Sequence, residues 1–396
     1  MPASIQRQIF LLRIYAAFTF PFACIPFLYF WFAAHGISLE DYLWLVAIYY
    51  ASMIAAEIPT GFLADRYGRI PAAVLGPSLL ASSFVIFGLS SSWTAFAIGQ
   101  CAMGLGHSFL SGPPAALLFE TLRRAGRSED YLRLESSMHA IRLGGTGVAF
   151  LLGGIVAQAF GYQACVLFTA PLCLVASITA MFLRGTGRRR TTRRRPPIVV
   201  SASRDLRLPA VAWLTAYFVV LFCLLRYPFH LYQPFLQAAG QDVPWRVGLL
   251  FFALNAVAAP CSRLTPWLQS RIGERALFWI LPMTLAASMW AMSEQVNRLG
   301  IALFFLHQIP FGMHWSLIQN FANHRIRSAS RTTVLSALSF FGRLTFVGFL
   351  TLTNTSLRSD DAGATVTDIL RYVGIGGILA TTVCLLLGRR FLAGRD

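Results

Sequence analysis

Residues 57–76 read EIPTGFLADRYGRIPAAVLG. An apolar run stops at Asp65 and Arg66, turns through Gly68, passes Arg69 and becomes apolar again. A charge at membrane depth costs roughly 2.5–3.5 kcal/mol on insertion scales, so a chain with apolar neighbours on both sides keeps such residues in water. The stretch therefore predicts two membrane helices joined by a short wet reversal. Gly61 and Gly68 would supply the backbone freedom that a tight turn demands. Gly61 is also expected to let another helix approach closely.

The rest of the chain agrees with that reading. Of 396 residues, 56% are hydrophobic and 12% charged, about half the charged share of a soluble domain. Apolar runs of roughly twenty residues, the length that crosses a bilayer as a helix, recur from end to end. Twelve helices are predicted, over 8–33, 41–62, 71–90, 93–120, 136–159, 162–183, 209–234, 245–268, 275–293, 298–322, 331–355 and 368–388. Backbone in hydrocarbon must satisfy its own hydrogen bonds, and runs of this length do so as helices rather than as the short alternating strands of a barrel. The first run, Gln8 to Phe32, is too long for a signal-peptide core and has no small-residue cleavage site, so it is expected to stay on the protein. The seven cysteines fall inside apolar runs without CxxC pairs, which predicts buried thiols rather than disulfides or metal ligands.

All 33 basic residues are arginine. With the N-terminus placed in the cytoplasm, the inner loops hold Arg66, Arg69, Arg123, Arg124, Arg127, Arg133, the run from Arg184 to Arg207, Arg271, Arg275, Arg325, Arg327 and Arg331. The outer loops hold only Arg246, Arg298, Arg358 and Arg371. That bias predicts a multi-pass protein of the inner (cytoplasmic) membrane with both termini cytoplasmic. The net charge of +17 is then mostly topology. The run GRRRTTRRRPP (187–197) suits an inner connector beside an anionic leaflet, and no nucleic-acid partner is expected. It divides the chain into a six-helix half (1–183), a basic linker (184–208) and a second six-helix half (209–396).

The halves resemble each other. At an offset of 205 positions GFLADRYGR (61–69) lies over PWLQSRIGE (266–274), matching Leu63 with Leu268, Arg66 with Arg271 and Gly68 with Gly273. Helices 1 and 7 share a pattern, FPFACIPFLYFW (20–31) against YPFHLYQPFLQAAG (227–240). Helices 5 and 11 each carry serine followed by arginine, in SSMHAIRL (136–143) and SALSFFGRL (336–344). Three matches in one order predict a duplicated six-helix unit.

Twelve helices, two halves and a glycine-flanked charged turn between helices 2 and 3 together resemble the major facilitator superfamily. Its signature in that loop has the form G-x-x-x-D-R-x-G-R, and GFLADRYGR (61–69) fits throughout. SGPPAALLFETL (111–122) and RTTVLSALSFFGRL (331–344) also look like segments of small bacterial exporter-type members. The resemblance implies an all-α membrane protein with twelve transmembrane helices in two pseudo-twofold related six-helix bundles, the major facilitator fold. It implies that Asp65 faces the start of helix 11, where exposed amides and the helix dipole favour a carboxylate by about 0.3–1 kcal/mol. Arg69 can reach Glu120 at the inner end of helix 4. Gly61, Asp65, Arg66, Gly68, Arg69 and Glu120 would then form an inner latch, closed when the protein opens outward. The second half has Ser270 for Asp65 and Glu274 for Arg69, which predicts an asymmetric latch. Exporters of the superfamily often show a Gly-Pro step followed by Gly-Gly in helix 5. GGTGVAFLLGG (144–154) keeps the glycines and lacks the proline, a departure from the export pattern.

Charges inside the membrane are the candidates for chemistry. At 1.5 Å per residue, Arg343 lies about 18 Å into helix 11, Arg226 roughly 25 Å into helix 7 and Arg142 about 10 Å into helix 5. No carboxylate lies near the middle, so the predicted central cavity is net positive. Arg343, with Arg142 and Arg226, would pair with a carboxylate or phosphate in bidentate fashion. The competing readings are that Arg343 satisfies helix carbonyls or pairs with Glu57. Tyr29, Trp31, Phe109, Tyr217, Phe229, Tyr232 and Trp315 are candidate pocket aromatics, with packing as the competing role. Glu57 is the candidate for proton coupling, ahead of His107, His230, His307 and His314, since an arginine partner and burial pull a carboxyl in opposite directions. Pro113, Pro114, Pro228 and Pro310 predict helix kinks.

These readings converge on a secondary active transporter working by alternating access: proton-coupled export of a small amphipathic, anionic solute. Uptake or facilitated diffusion of an organic anion is the alternative, and a transporter-fold sensor or a membrane enzyme a more distant one. No catalytic constellation, metal site or cofactor motif stands out, and no enzyme activity is expected. The expected partners are the solute, the bilayer and the proton gradient, with the protein acting as a monomer.

Overall fold

Ser38 begins the helix that carries the charged turn. Its backbone is extended (φ −67°, ψ 166°) and its side chain accepts a hydrogen bond from the Asp41 amide, which satisfies one of the donors a helix start leaves open. Glu40 and Asp41 in the first turn and Arg66 in the last complement the helix dipole. The computed structural model describes residues 3–110, 113–184, 208–326, 328–356 and 362–392. Among them the helices are α1 (Ala3–Phe18), α2 (Leu28–Ala33), α3 (Leu39–Tyr67), α4 (Arg69–Leu89), α5 (Trp93–Leu110), α6 (Pro113–Arg124) and α7 (Tyr131–Met181). The order continues with α8 (Pro209–Ala238), α9 (Pro244–Ile272), α10 (Glu274–Glu294), α11 (Arg298–Ala302), α12 (Phe304–Arg325), α13 (Ser328–Ser356), α14 (Ala362–Leu387) and α15 (Arg389–Leu392).

Nine stretches among the described residues are helical, long and apolar enough to cross a membrane. One of them, Ser128–Met181, is 54 residues long. It is broken at Gly161 (φ 85°, ψ 170°), so it divides where helices 5 and 6 were expected to divide. The chain forms two compact units, Met1–Arg190 with Val243–Ala253, and Thr191–Asp242 with Leu254–Asp396. Most of the expected 184–208 linker lies outside the described residues.

In the first unit α4 packs against α5 and α7, α1 against α7, and α3 against α5. In the second, α10 packs against α14 and α12, and α8 against α13 and α14. The internal duplication shows in matched bonds. The Tyr15 hydroxyl of α1 donates to the Ala73 carbonyl of α4 at 3.1 Å, and the Tyr217 hydroxyl of α8 donates to the Phe278 carbonyl of α10 at 3.1 Å. Both hydroxyls are buried and both bind the helix that follows a charged turn.

The reversal at the charged turn is shorter than the sequence suggests. α3 runs through Tyr67 and α4 begins at Arg69, so Gly68 alone makes the corner, with φ 101° and ψ 167°. Gly273 does the same between α9 and α10, with φ 84° and ψ 157°. Only glycine enters this region readily; other residues pay of order 1–3 kcal/mol. Gly61 sits inside α3, and no described atom lies within 4 Å of where its Cβ would stand. Among the described residues, neither the turn nor a close helix contact needs it. Gly68→Ala is therefore expected to lower the thermal midpoint of the detergent-purified protein by several degrees, while Gly61→Ala leaves it unchanged or raises it. Equal effects of the two would refute this account.

The first membrane segment is not one helix over 8–33. It stops at Phe18, passes through residues 19–24 and a 3-10 turn at Ile25–Phe27, and resumes as α2. Pro21 and Pro26 explain the stop, because each removes a backbone donor and crowds the preceding turn. Polar groups freed in this way need partners at membrane depth. Side chains of α7 supply them: Thr146 Oγ1 donates to the Phe20 carbonyl at 2.9 Å, and the Cys24 amide donates to Thr169 Oγ1 at 3.1 Å. The corresponding α8 stays continuous through Pro228 and Pro234, which stand six positions apart instead of five.

Candidate functional site

Two groups of side chains are the candidates: a clasp at each charged turn and the arginines within the helices. At the first turn, Arg69 opens α4 directly after Gly68, and Glu120 stands near the end of α6. Their side chains form an ion pair of 2.5 Å, with 35% and 22% of each exposed. The turn thus places a cation at the start of one helix within reach of an anion at the end of another. Arg66 is exposed, with its guanidinium 5.7 Å from the ring centre of Tyr67. The side chain of Asp65 lies outside the described residues.

The second unit carries the same clasp with its charges exchanged. Glu274 opens α10 directly after Gly273 and accepts a hydrogen bond from Arg325, the last residue of α12, at 2.9 Å. Glu274 matches Arg69 and Arg325 matches Glu120 at the 205-position offset of the repeat. The Arg325 guanidinium also lies 4.1 Å from the ring centre of Phe321. Sequence comparison found Glu274 in place of Arg69 and predicted asymmetry. It missed the compensating exchange because the partners lie about fifty residues away, on another helix.

The membrane arginines differ in their surroundings. Arg226, on α8, is half-buried, 5.5 Å from the ring centre of Phe222 and 6.0 Å from that of Phe311. Among the described residues it makes no ion pair. Arg142, on α7, stands 3.9 Å from Glu135, two turns earlier on the same helix. Its Nε atom is buried without a hydrogen-bond partner. Arg343, on α13, is half-buried beside Gly342, whose missing side chain makes room for Phe218 and Phe222 of α8. Glu57 is half-buried in α3, and Thr60 Oγ1 lies 3.4 Å from its backbone oxygen.

Tyr29 and Tyr232 are 3% and 2% exposed. Tyr29 packs edge-on against Tyr42 at 5.1 Å. The Tyr232 hydroxyl hydrogen-bonds His307 Nδ1 at 2.7 Å, and its ring stacks on Phe304 at 4.0 Å. In this conformation both rings act as packing within their own units. His314 Nδ1 lies 2.7 Å from the Phe311 carbonyl, and His230 stacks on Phe346.

One cluster was not anticipated. At the break in the first segment, Phe20 stacks on His107 at 5.0 Å, Phe22 lies 5.4 Å from the same ring, and the Tyr49 hydroxyl hydrogen-bonds His107 Nδ1 at 3.1 Å. All four side chains are partly exposed. The signal was present as two prolines five residues apart inside an otherwise apolar run. Its meaning depended on α5 and α3 lying alongside.

Comparison with known proteins follows the same lines. A family model described as Major Facilitator Superfamily matches residues 11–349. Among solved structures, two of the nucleoside transporter NupG, one a point mutant, superpose with TM-scores of 0.77 and 0.78. They are 10% and 12% identical and align with 97% and 96% of this chain and 99% of theirs. The methyl viologen resistance protein SmvA of Salmonella typhimurium, in two strains, is 30% identical over 160 residues, 39% of this chain. The aligned part spans 31% of that relative's length.

Proposed function

The chain belongs to the Major Facilitator Superfamily, and from that premise we propose that it exports a small amphipathic, anionic solute by alternating access, driven by proton entry. The observation that carries the solute class is Arg226. It lies roughly 25 Å along α8, counting 1.5 Å per residue from Pro209, and has no ion-pair partner among the described residues. A cation at that depth is costly unless something compensates it. The flanking Phe222 and Phe311 rings supply part of the compensation. A carboxylate or phosphate on a solute would supply the rest, in the bidentate geometry that guanidinium favours. Arg343 of the same unit adds positive character, since Gly342 and Arg226 both lie against Phe222, and the aromatic surroundings suit the apolar part of an amphipathic molecule.

Outward transport is supported by the resistance function in the name of the partly matching relative. The alternative, uptake or facilitated diffusion of an organic anion, is favoured by one feature: α7 has glycines but no proline over 144–154, where exporters of the superfamily often carry one. Glu57 is the proposed proton carrier. The protein is proposed to act as a monomer in the inner membrane, termini in the cytoplasm, with solute and proton gradient as its partners and no catalytic role.

The test uses purified protein in liposomes with an imposed pH gradient, screened against organic anions and cations of similar size. Gradient-dependent transport of an anion is expected. Arg226→Gln should weaken the apparent affinity for it about tenfold or more, the scale of one charge-assisted hydrogen bond. Selective transport of cations, or an Arg226→Gln protein with unchanged affinity, would overturn the anion assignment.

A further inference from the structure

The N-terminal turns of α1 and the C-terminal end of α7 enclose a cleft of about 540 Å³ lined by Arg7, Gln8, Leu11, Met181, Phe182 and Arg184 among others. Its construction depends on Gln8, which is 5% exposed. The Gln8 amide donates to the Arg184 carbonyl at 3.2 Å, and its oxygen accepts from the Arg184 amide at 3.0 Å. This reciprocal pair satisfies backbone groups that a helix end leaves open. It also ties the end of α7 to the start of α1, so Arg7 and Arg184 stand at one cleft.

Both arginine side chains are exposed, and neither makes an ion pair among the described residues. The neighbouring sequence offers no competing anion: no Asp or Glu precedes Glu40, and none lies between Glu135 and Asp205. Beside the cleft the surface turns apolar. Phe10, Met181 and Phe182 are 60%, 62% and 59% exposed. Two unpaired guanidinium groups above a strip of exposed apolar side chains, at the end of a membrane segment, match a molecule with an anionic head and hydrocarbon tails.

We propose that this cleft binds the phosphodiester headgroup of an anionic phospholipid, with the acyl chains lying along Phe10, Met181 and Phe182. Arg7 and Arg184 hold the phosphate as charge-assisted donors, and Gln8 positions Arg184. The site is independent of what the protein carries and in which direction.

The experiment is native mass spectrometry of the detergent-purified full chain with phosphatidylglycerol, phosphatidylcholine or inorganic phosphate, in parallel with thermal unfolding in the same three additives. Phosphatidylglycerol should be retained in preference to phosphatidylcholine and should raise the unfolding midpoint. Arg7→Gln with Arg184→Gln should weaken its retention about tenfold to thirtyfold, with unfolding in lipid-free detergent unchanged. Gln8→Ala should weaken retention less than the double variant. Equal retention of the two lipids by the wild-type chain would overturn the proposal without recourse to any variant. So would a double variant that binds phosphatidylglycerol as well as wild type. Stabilisation by inorganic phosphate equal to that by phosphatidylglycerol would assign the cleft to a free anion and overturn the lipid assignment.

Discussion

Arg69→Glu alone should remove most transport, and adding Glu120→Arg should restore it. The native pair at 2.5 Å is partly exposed, so its direct contribution to stability is small, about 0–1 kcal/mol after screening. Reversing one partner is different. It sets two carboxylates against each other, a swing of about 1–4 kcal/mol at close range depending on the local dielectric. It does so beside Gly68, where a single residue joins α3 to α4 and has no slack to absorb the repulsion. The second unit already presents the exchanged arrangement, Glu274 with Arg325 at 2.9 Å, so the geometry tolerates either polarity. Glu274→Arg with Arg325→Glu should likewise recover what each single reversal loses. Recovery there should be incomplete, because Arg325→Glu also loses the contact with the Phe321 ring at 4.1 Å. Transport in liposomes, normalised to folded protein, reads the result. A double reversal at 69 and 120 no better than Arg69→Glu alone would mean that these residues act separately and that the clasp is not a unit.

Gly153→Ala should be the more damaging change to folding. A Cβ at Gly153 would collide with the Ala23 carbonyl oxygen, and one at Gly145 would stand 2.5 Å from the Ala17 carbonyl oxygen. Both oxygens belong to or adjoin the broken stretch of the first segment. The Phe20 carbonyl and the Cys24 amide find partners because α7 comes this close, bringing Thr146 and Thr169 into hydrogen-bonding range. Backbone on both sides leaves no flexible side chain to move aside. The expected cost is about 3 kcal/mol or more, at the upper end of what overpacking produces. Part of it is the loss of those hydrogen bonds in a medium without water. Gly144 provides the control on the same helix. Nothing lies within 4 Å of where its Cβ would stand, so Gly144→Ala should be neutral or stabilising by up to about 1 kcal/mol from helix propensity. Folded yield and thermal unfolding of the two variants should therefore move in opposite directions. Similar behaviour would show that the approach of α7 to the broken segment does not support the fold.

Part of this geometry was legible in the sequence, from local signals at the turns and from the family resemblance across them. Gly68 and Gly273 were matched from sequence, and both adopt the positive-φ corner between helices. Arg69 was paired with Glu120 from the resemblance to a transporter family, and the two side chains meet. Gly61 was misjudged for an instructive reason: it belongs to the signature, but the helix continues six residues past it, and the reversal needs only one glycine. Tyr29 and Tyr232 were read as pocket residues because an aromatic side chain looks the same in sequence whether it faces a solute or a neighbouring ring. Burial at 3% and 2% places them among their neighbours.

Hydropathy by itself marked this chain as a multi-pass membrane protein and placed most of its long helices approximately. Transfer into hydrocarbon is a property of each segment taken alone, and the cost of a misplaced arginine is paid locally. The bonding that accommodates the break between α1 and α2, the charge-exchanged second clasp and the cleft tied by Gln8 were decided only by tertiary structure. Each depends on a partner brought alongside from a distant stretch of chain: Thr146 and Thr169 for a freed backbone, Arg325 for Glu274, Arg184 for Gln8. No pattern along a single segment encodes the distance between two segments.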